Sequence, residues 1–297
     1  MNKKDKVFSL APDTCGISFS AMLFAYLVFS LIGQLIVGAI FSEGGVAVKA
    51  INSTYAVVAM TVVLFFLAKN KNLSFRVICG IEKFSAKYLF YSVLLFVGMF
   101  FGLGFLNTFF VDLLSKIGIK VSGISITLEN AYHVIIFTFF LAVLPATVEE
   151  FFFRGLMLGG LKEVKPLISA LFIAVCFSLY HCSLAQLLYQ FVYGYALSLL
   201  TLSAKSVIPS VIAHFLNNFA VIILQYFNVY IDFFNPLIII GGMLLLVVFA
   251  VLTIFSLKKQ KAEKVYASYK DQARAFWSPY LLCGIFVCVL LMILSLI

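Results

Sequence analysis

The chain has 297 residues, of which 64% are hydrophobic and only 11% are charged, and its formal net charge is +9. Soluble globular domains carry about 25% charged residues, so this composition excludes a soluble protein and indicates a polytopic membrane protein. The positive charge does not indicate a nucleic-acid partner, because the lysines and arginines lie in short connections between apolar segments, where they set membrane orientation.

Nine apolar segments follow one another along the chain, most of them long enough for a helix that crosses a bilayer. The first is too long for the hydrophobic part of a signal peptide and has no clear cleavage site after it, so it is interpreted as an uncleaved span. One short segment could instead lie in the membrane interface. The sequence therefore predicts a single all-α membrane domain over residues 1–297 with eight or nine transmembrane helices. The segments cover about 16–41, 51–68, 88–110, 132–161, 167–181, 184–202, 207–227, 236–257 and 280–297.

The basic residues alternate from one connection to the next. Most of them lie in the amino-terminal arm and in the connections after the second, fourth, sixth and eighth segments. An excess of Lys and Arg marks the cytoplasmic side of a membrane, so we expect a multi-pass protein of the cell membrane with a cytoplasmic amino terminus. The longest basic connection contains Lys258, Lys259, Lys261, Lys264, Lys270 and Arg274.

The fourth segment contains Glu149, Glu150 and Arg154 within an otherwise apolar run. A charged side chain in a bilayer costs about 2.5–3.5 kcal/mol on insertion scales, so a span that keeps three of them together is expected to use them. Glu150 and Arg154 are four residues apart and can pair on one helix face, whereas Glu149 lies about 100° around the helix. Pro145 removes a backbone donor and predicts a kink just before the motif.

Two later segments carry histidines with a partner at helical spacing. Phe177 and His181 share one face of the fifth segment, and His214 and Asn218 share one face of the seventh. A lone intramembrane histidine or asparagine often has only a packing role. At about 1.5 Å per residue, however, the polar residues of the three spans all lie roughly 10–21 Å from the cytoplasmic boundary. This agreement predicts one cavity between helices four, five and seven, open toward the cytoplasm.

Glu-Glu-x-x-x-Arg, Phe-x-x-x-His and His-x-x-x-Asn, in that order on hydrophobic helices, resemble the CPBP intramembrane proteases. That family contains the CAAX prenyl endopeptidases and the bacteriocin-processing or self-immunity proteins, also called the Abi family. The resemblance covers about residues 145–220, within a predicted catalytic core of residues 131–225. It assigns six catalytic positions and one supporting position, which are Glu149, Glu150, Arg154, His181, His214 and Asn218, with Phe177 in support.

The resemblance implies hydrolysis of a peptide bond in a membrane-embedded or lipid-modified peptide, with the lipid bilayer as the surroundings. By the same resemblance, Glu149 activates a water that His181 helps to hold, and His214 and Asn218 stabilise the oxyanion. The other two motif residues brace the site. The substrate stays open between CAAX processing, bacteriocin maturation, self-immunity and signal-peptide-like processing.

The same residues leave two versions of the chemistry open. The family name includes metalloproteases, and Glu149, His181 and His214 would form a two-histidine, one-glutamate zinc site with an open position. They also suit a metal-free site in which a glutamate activates the water. Because the asparagine paired with His214 is a poor zinc ligand, we expect no required cofactor, with zinc as the alternative.

Other classes of function fit the sequence less well. The chain has no HExxH and no GxSxG sequence, and Asp112 and Asp232 fall near predicted outer loops instead of forming an intramembrane aspartate pair. A proton-coupled membrane transporter would use the Glu, His and Arg residues as a relay, but many transporters have broken helices in both halves, and only one half here carries such charges. A non-catalytic immunity or scaffold member of the same fold is the third hypothesis.

Overall fold

The computed structural model describes residues 12–40, 45–119, 128–161, 163–260 and 277–294. Throughout these ranges the regular structure is helical, and no strand forms. Seven of the helices in this part of the chain are long and apolar enough to cross a membrane. The prediction of an all-α polytopic membrane protein is therefore confirmed.

Two of the predicted spans correspond to shorter apolar helices, Pro166–Tyr180 and Pro279–Leu294. The third predicted span, Lys87–Lys116, counts as one of the seven although it is divided at Leu103. The count of eight or nine spans therefore stays a prediction. The described helices are α1 (Pro12–Ile40), α2 (Val46–Asn70), α3 (Phe75–Ile78), α4 (Lys87–Gly102), α5 (Gly104–Lys116), α6 (Ala131–Gly160), α7 (Pro166–Tyr180), α8 (Leu187–Ala204), α9 (Ile208–Tyr226), α10 (Pro236–Gln260) and α11 (Pro279–Leu294).

Much of the predicted orientation signal lies outside the described residues. It includes the amino-terminal arm at 1–11, Lys162, and the part of the longest basic connection at 261–276. The cytoplasmic position of the amino terminus therefore stays a prediction.

Helix α6 is irregular in the region that carries the acidic motif. It contains two π-helical segments, Thr138–Val143 and Phe151–Met157, on either side of the turn that holds the two glutamates. The first segment ends just before Pro145, which has no N–H to donate to the carbonyl of Leu141 four residues earlier. A π-helical segment, a feature that often occurs at functional sites, thus lies just before the proline, and the kink predicted there stays a prediction.

The second half of α6 is held in the interior by its buried side chains. Phe152, Phe153, Leu156 and Met157 pack together with residues of α1, α2 and α7 in the largest apolar cluster. Close packing of this kind, and not apolar burial from water, holds helices together in a bilayer. The rotation of α6 is therefore set by its apolar face, which in turn directs the glutamates toward the interior.

The connection after α3 crosses α6 at close range. A Cβ atom at Gly155 would collide with the carbonyl of Cys79, so only glycine fits at that position. Gly80, which follows Cys79, has a left-handed φ of 68°. Its carbonyl accepts the N–H of Val207 at 3.1 Å. This connection thus fixes the end of the acidic motif relative to the start of α9.

Candidate active site

The three predicted motifs lie on α6, at the end of α7 and on α9, and the structure brings them together in the interior. Glu149, Glu150, Arg154 and His214 expose only 7, 0, 2 and 3% of their surface. Ionisable groups buried to this degree must be paired or hydrogen-bonded, because their transfer out of water is otherwise too costly. The contacts of these four side chains therefore define the site.

Glu150 is the central anion of the site. Its Oε1 atom accepts a hydrogen bond from Arg154 Nη1 at 2.7 Å and lies 2.9 Å from His214 Nδ1. An ionised carboxylate can only accept, so this contact assigns a hydrogen to Nδ1 of the histidine. The ion pair expected from the helical spacing of Glu150 and Arg154 is present, and the histidine connects it to α9.

Arg154 also connects the acidic motif to α8. Its Nη2 atom donates to the carbonyl of Gly194 at 3.0 Å, and its guanidinium carbon lies 4.3 Å from the centre of the Phe177 ring. A Cβ atom at Gly194 would lie 2.9 Å from Phe177 Cδ1 and 3.4 Å from Arg154 Nη2. The approach of the arginine to this backbone thus depends on a residue without a side chain.

The two carboxylate oxygens of Glu149 have different hydrogen bonding. Its Oε1 accepts a hydrogen bond from the Tyr180 hydroxyl at 3.4 Å, and its Oε2 lies 3.9 Å from His214 Nε2. Within the described parts of the chain, no group donates a hydrogen bond to Oε2. This atom is a buried proton acceptor that faces a histidine nitrogen.

His181 follows the last residue of α7, where the helix leaves its final carbonyls without backbone donors. Its Nδ1 atom lies 2.8 Å from the carbonyl of Phe177. Since a carbonyl can only accept, Nδ1 carries the hydrogen, and Nε2 of the neutral ring is an acceptor. The Phe177 ring lies between the two histidines, with centroid separations of 4.8 Å to His181 and 5.9 Å to His214.

Asn218 lies one turn along α9 from His214 and is half-buried. Its Nδ2 atom donates to the carbonyl of Leu141 at 3.2 Å, which is the carbonyl that Pro145 cannot satisfy. One of the two amide hydrogens is therefore used to hold α9 against the irregular part of α6, and the other remains to donate elsewhere.

The segment that carries this site is similar to a known protein family. Residues 131–220 match the family model of the type II CAAX prenyl endopeptidases, described as Rce1-like. The predicted family resemblance is confirmed. The Rce1-like segment begins with α6 and extends into α9, so it contains all seven predicted site residues. No curated protein and no solved structure matches the chain.

Two further contributors to the candidate site were missed by the sequence analysis, which expected walls from helices four, five and seven. Tyr180 binds Glu149, and Gly194 on α8 binds Arg154, so the sixth span contributes as well. Both have a modest sequence signal. Tyr180 is a phenol directly beside a motif histidine in an apolar run, and Gly194 is a glycine between two tyrosines, as is common where helices approach closely.

The predicted zinc ligands, Glu149, His181 and His214, are carried by the three motifs of the site. Glu149 Oε2 and His214 Nε2 lie 3.9 Å apart. The Nδ1 atoms of the two histidines contact Glu150 and the Phe177 carbonyl, an arrangement that leaves both Nε2 atoms available as ligands. In the part of the chain that the structure describes, no group of three His, Cys, Asp or Glu side chains is arranged to hold a metal ion. The metal-free reaction and its zinc alternative therefore both stay predictions.

Proposed function

We propose that the protein is an intramembrane endopeptidase of the CAAX-protease type, which hydrolyses a peptide bond of a membrane-embedded or lipid-modified peptide or protein. At the level of the family, the Rce1-like match supports a peptidase in a membrane. The observation that carries the finer proposal is the open Oε2 atom of Glu149, buried and 3.9 Å from a histidine nitrogen.

In the proposed reaction, Glu149 Oε2 takes a proton from a water molecule. The oxygen of that water attacks the carbonyl carbon of the scissile peptide bond, and the Nε2 lone pair of His181 helps to orient the water. A general base within hydrogen-bond reach of its water contributes about 10²–10⁴-fold to the rate. The buried, preorganised setting of the carboxylate suits this role.

The tetrahedral intermediate carries a negative oxygen, for which two donors are proposed. When His214 is protonated, its Nδ1–H remains on Glu150 while its Nε2–H is free to donate to the oxyanion. The second amide hydrogen of Asn218 is the other donor. Donors of this kind contribute about 10²–10³-fold each. The C–N bond then breaks, and Glu149 returns its proton to the departing amine nitrogen.

Glu150 and Arg154 are proposed to hold this arrangement and not to touch the substrate. Arg154 is fixed by Glu150 on its own helix and by the Gly194 carbonyl on α8, with Phe177 against its guanidinium face. The positive charge of Arg154 balances the negative charge of Glu150. The Nδ1–H of His214 therefore donates to a carboxylate whose charge is already compensated. We propose that the reaction needs no metal, with zinc on Glu149, His181 and His214 as the alternative.

The proposed setting is the cell membrane, with a cytoplasmic amino terminus and a site open toward the cytoplasm. The apolar helices and the family match support a multi-pass membrane protein. The substrate would approach from the bilayer or from its surface, as a peptide already anchored there.

A cleavage assay in liposomes tests this function. The purified full-length protein is incubated with a prenylated peptide ending in a CAAX sequence, with the same peptide lacking the prenyl group, and with a hydrophobic transmembrane peptide. Mass spectrometry identifies the products. Cleavage of the prenylated peptide alone supports CAAX processing, and cleavage of the transmembrane peptide supports a broader membrane peptidase. The absence of any cleavage would contradict the proposal and favour a non-catalytic immunity or scaffold protein. Equal cleavage by wild type and His214→Ala would contradict the proposed site.

A further inference from the structure

We infer that Tyr180 is a positioning residue whose hydroxyl fixes the orientation of the Glu149 carboxylate, an inference that rests on the proposed function of Glu149. The Tyr180 hydroxyl donates to Glu149 Oε1 at 3.4 Å. Among the residues described by the structure, no other side chain donates a hydrogen bond to this carboxylate, whose second oxygen is without one. Tyr180 therefore makes the two oxygens of Glu149 different.

This difference matters because a carboxylate rotates easily about its last bond. The terminal torsion of a glutamate is broad and roughly two-fold, so an untethered Glu149 would exchange its oxygens and turn its lone pairs away from the water. With Oε1 held by Tyr180, Oε2 faces His214 Nε2 at 3.9 Å. A proton acceptor held in one orientation is what general-base catalysis requires.

Tyr180 is itself held in place by aromatic neighbours. Its ring centroid lies 5.5 Å from that of Phe153 and 5.1 Å from that of His181. Phe153 in turn packs edge-on against Phe177 with a centroid separation of 5.2 Å. Helix α6 thus contacts this tyrosine at two points, through the ring of Phe153 and through the carboxylate of Glu149, so the hydroxyl cannot move away without loss of the ring packing.

Tyr180→Phe separates the two contributions, because it keeps the ring and removes only the hydroxyl. With the membrane peptide of the cleavage assay, we expect kcat to fall about 10-fold, as for loss of one hydrogen bond to a charged group, with KM and the melting temperature unchanged. Tyr55→Phe is the matched control. Tyr55 on α2 is buried, whereas Tyr180 is half-buried, and no described residue hydrogen-bonds the Tyr55 hydroxyl. Both kinetic constants of Tyr55→Phe should therefore stay at the wild-type values.

Infrared spectroscopy provides a readout that does not need turnover. The carboxyl band of Glu149 is isolated as the difference between wild type and Glu149→Gln, and the same difference is recorded in the Tyr180→Phe and Tyr55→Phe backgrounds. The inference predicts that the band shifts in the Tyr180→Phe background only. An unshifted band overturns the contact, and a shifted band with an unchanged kcat overturns the positioning role. If the wild-type protein cleaves no peptide, the proposed function fails, and the band alone then decides whether Tyr180 orients the carboxylate.

Discussion

The Nδ1 atom of His214 lies 2.9 Å from Oε1 of Glu150, a contact that joins α9 to α6 in the middle of the site. The same oxygen accepts Arg154 Nη1 at 2.7 Å. Among the described residues, no Lys or Arg side chain is hydrogen-bonded to the neighbouring Glu149. Its Oε1 accepts the Tyr180 hydroxyl at 3.4 Å, and its Oε2 lies 3.9 Å from the other nitrogen of the histidine. The two adjacent glutamates therefore have different surroundings. The charge of Glu150 is compensated by Arg154, whereas Glu149 keeps one oxygen without a hydrogen-bond donor among the described residues. This difference supports different roles for them.

Removal of the Glu150 charge should damage both folding and activity. Glu150→Gln keeps the shape of the side chain but leaves the fully buried Arg154 without its anion. We expect the free energy of unfolding to fall by about 3–5 kcal/mol. Because His214 also loses its partner, we expect the cleavage rate to fall about 100-fold. Denaturation in detergent and steady-state cleavage measure the two effects, and Glu129→Gln, at an exposed position, is the control. A Glu150→Gln protein with wild-type stability and rate would contradict the bracing role.

The glycine of α8 should be required for the position of Arg154. In Gly194→Ala the new Cβ would press on Phe177 and Arg154, at 2.9 and 3.4 Å. Overpacking of this kind costs about 1–3 kcal/mol, and displacement of the arginine should lower cleavage about 10-fold or more. Gly241→Ala on α10 is the matched control, because a Cβ there meets nothing within 4 Å. Equal behaviour of the two alanine variants would show that the backbone contact has no role in the site.

Asn218 should contribute to turnover more than to stability. Asn218→Ala removes the hydrogen bond to the Leu141 carbonyl, which costs about 1 kcal/mol, and removes a proposed oxyanion donor, which should lower kcat about 100-fold. Asn217→Ala is the comparison, because the Asn217 side chain accepts the Tyr189 hydroxyl at 2.7 Å and has a structural role. We expect it to lose similar stability with a smaller loss of kcat. Similar kcat values for the two variants would remove Asn218 from the oxyanion site.

The membrane class and the three motifs of the site could be predicted from the sequence, because both follow from local sequence patterns. Three charges in an apolar run are costly wherever the helix packs, and pairs such as Glu150 with Arg154 follow from helical spacing alone. The depth of His214 could be counted from the end of its segment. None of these predictions requires a tertiary contact.

The remaining features of the site depend on long-range packing. Both Tyr180 and His181 lie near the end of α7, and which of them reaches Glu149 depends on the rotation of that helix against α6. The contact between Arg154 and Gly194 depends on how α6 and α8 lie relative to each other. The π-helical segments are a third case, since Pro145 predicts a kink and does not predict π-helical segments.

The central claim is that Glu149 activates the water that cleaves the peptide bond. It is tested most directly by the single-turnover cleavage rate of Glu149→Gln and wild type on one membrane peptide, each with and without a chelator. The account predicts that the wild-type rate is unaffected by the chelator and that Glu149→Gln, folded as judged by its melting temperature, is slower by about 10²–10⁴-fold. A Glu149→Gln rate within a few-fold of wild type would contradict it.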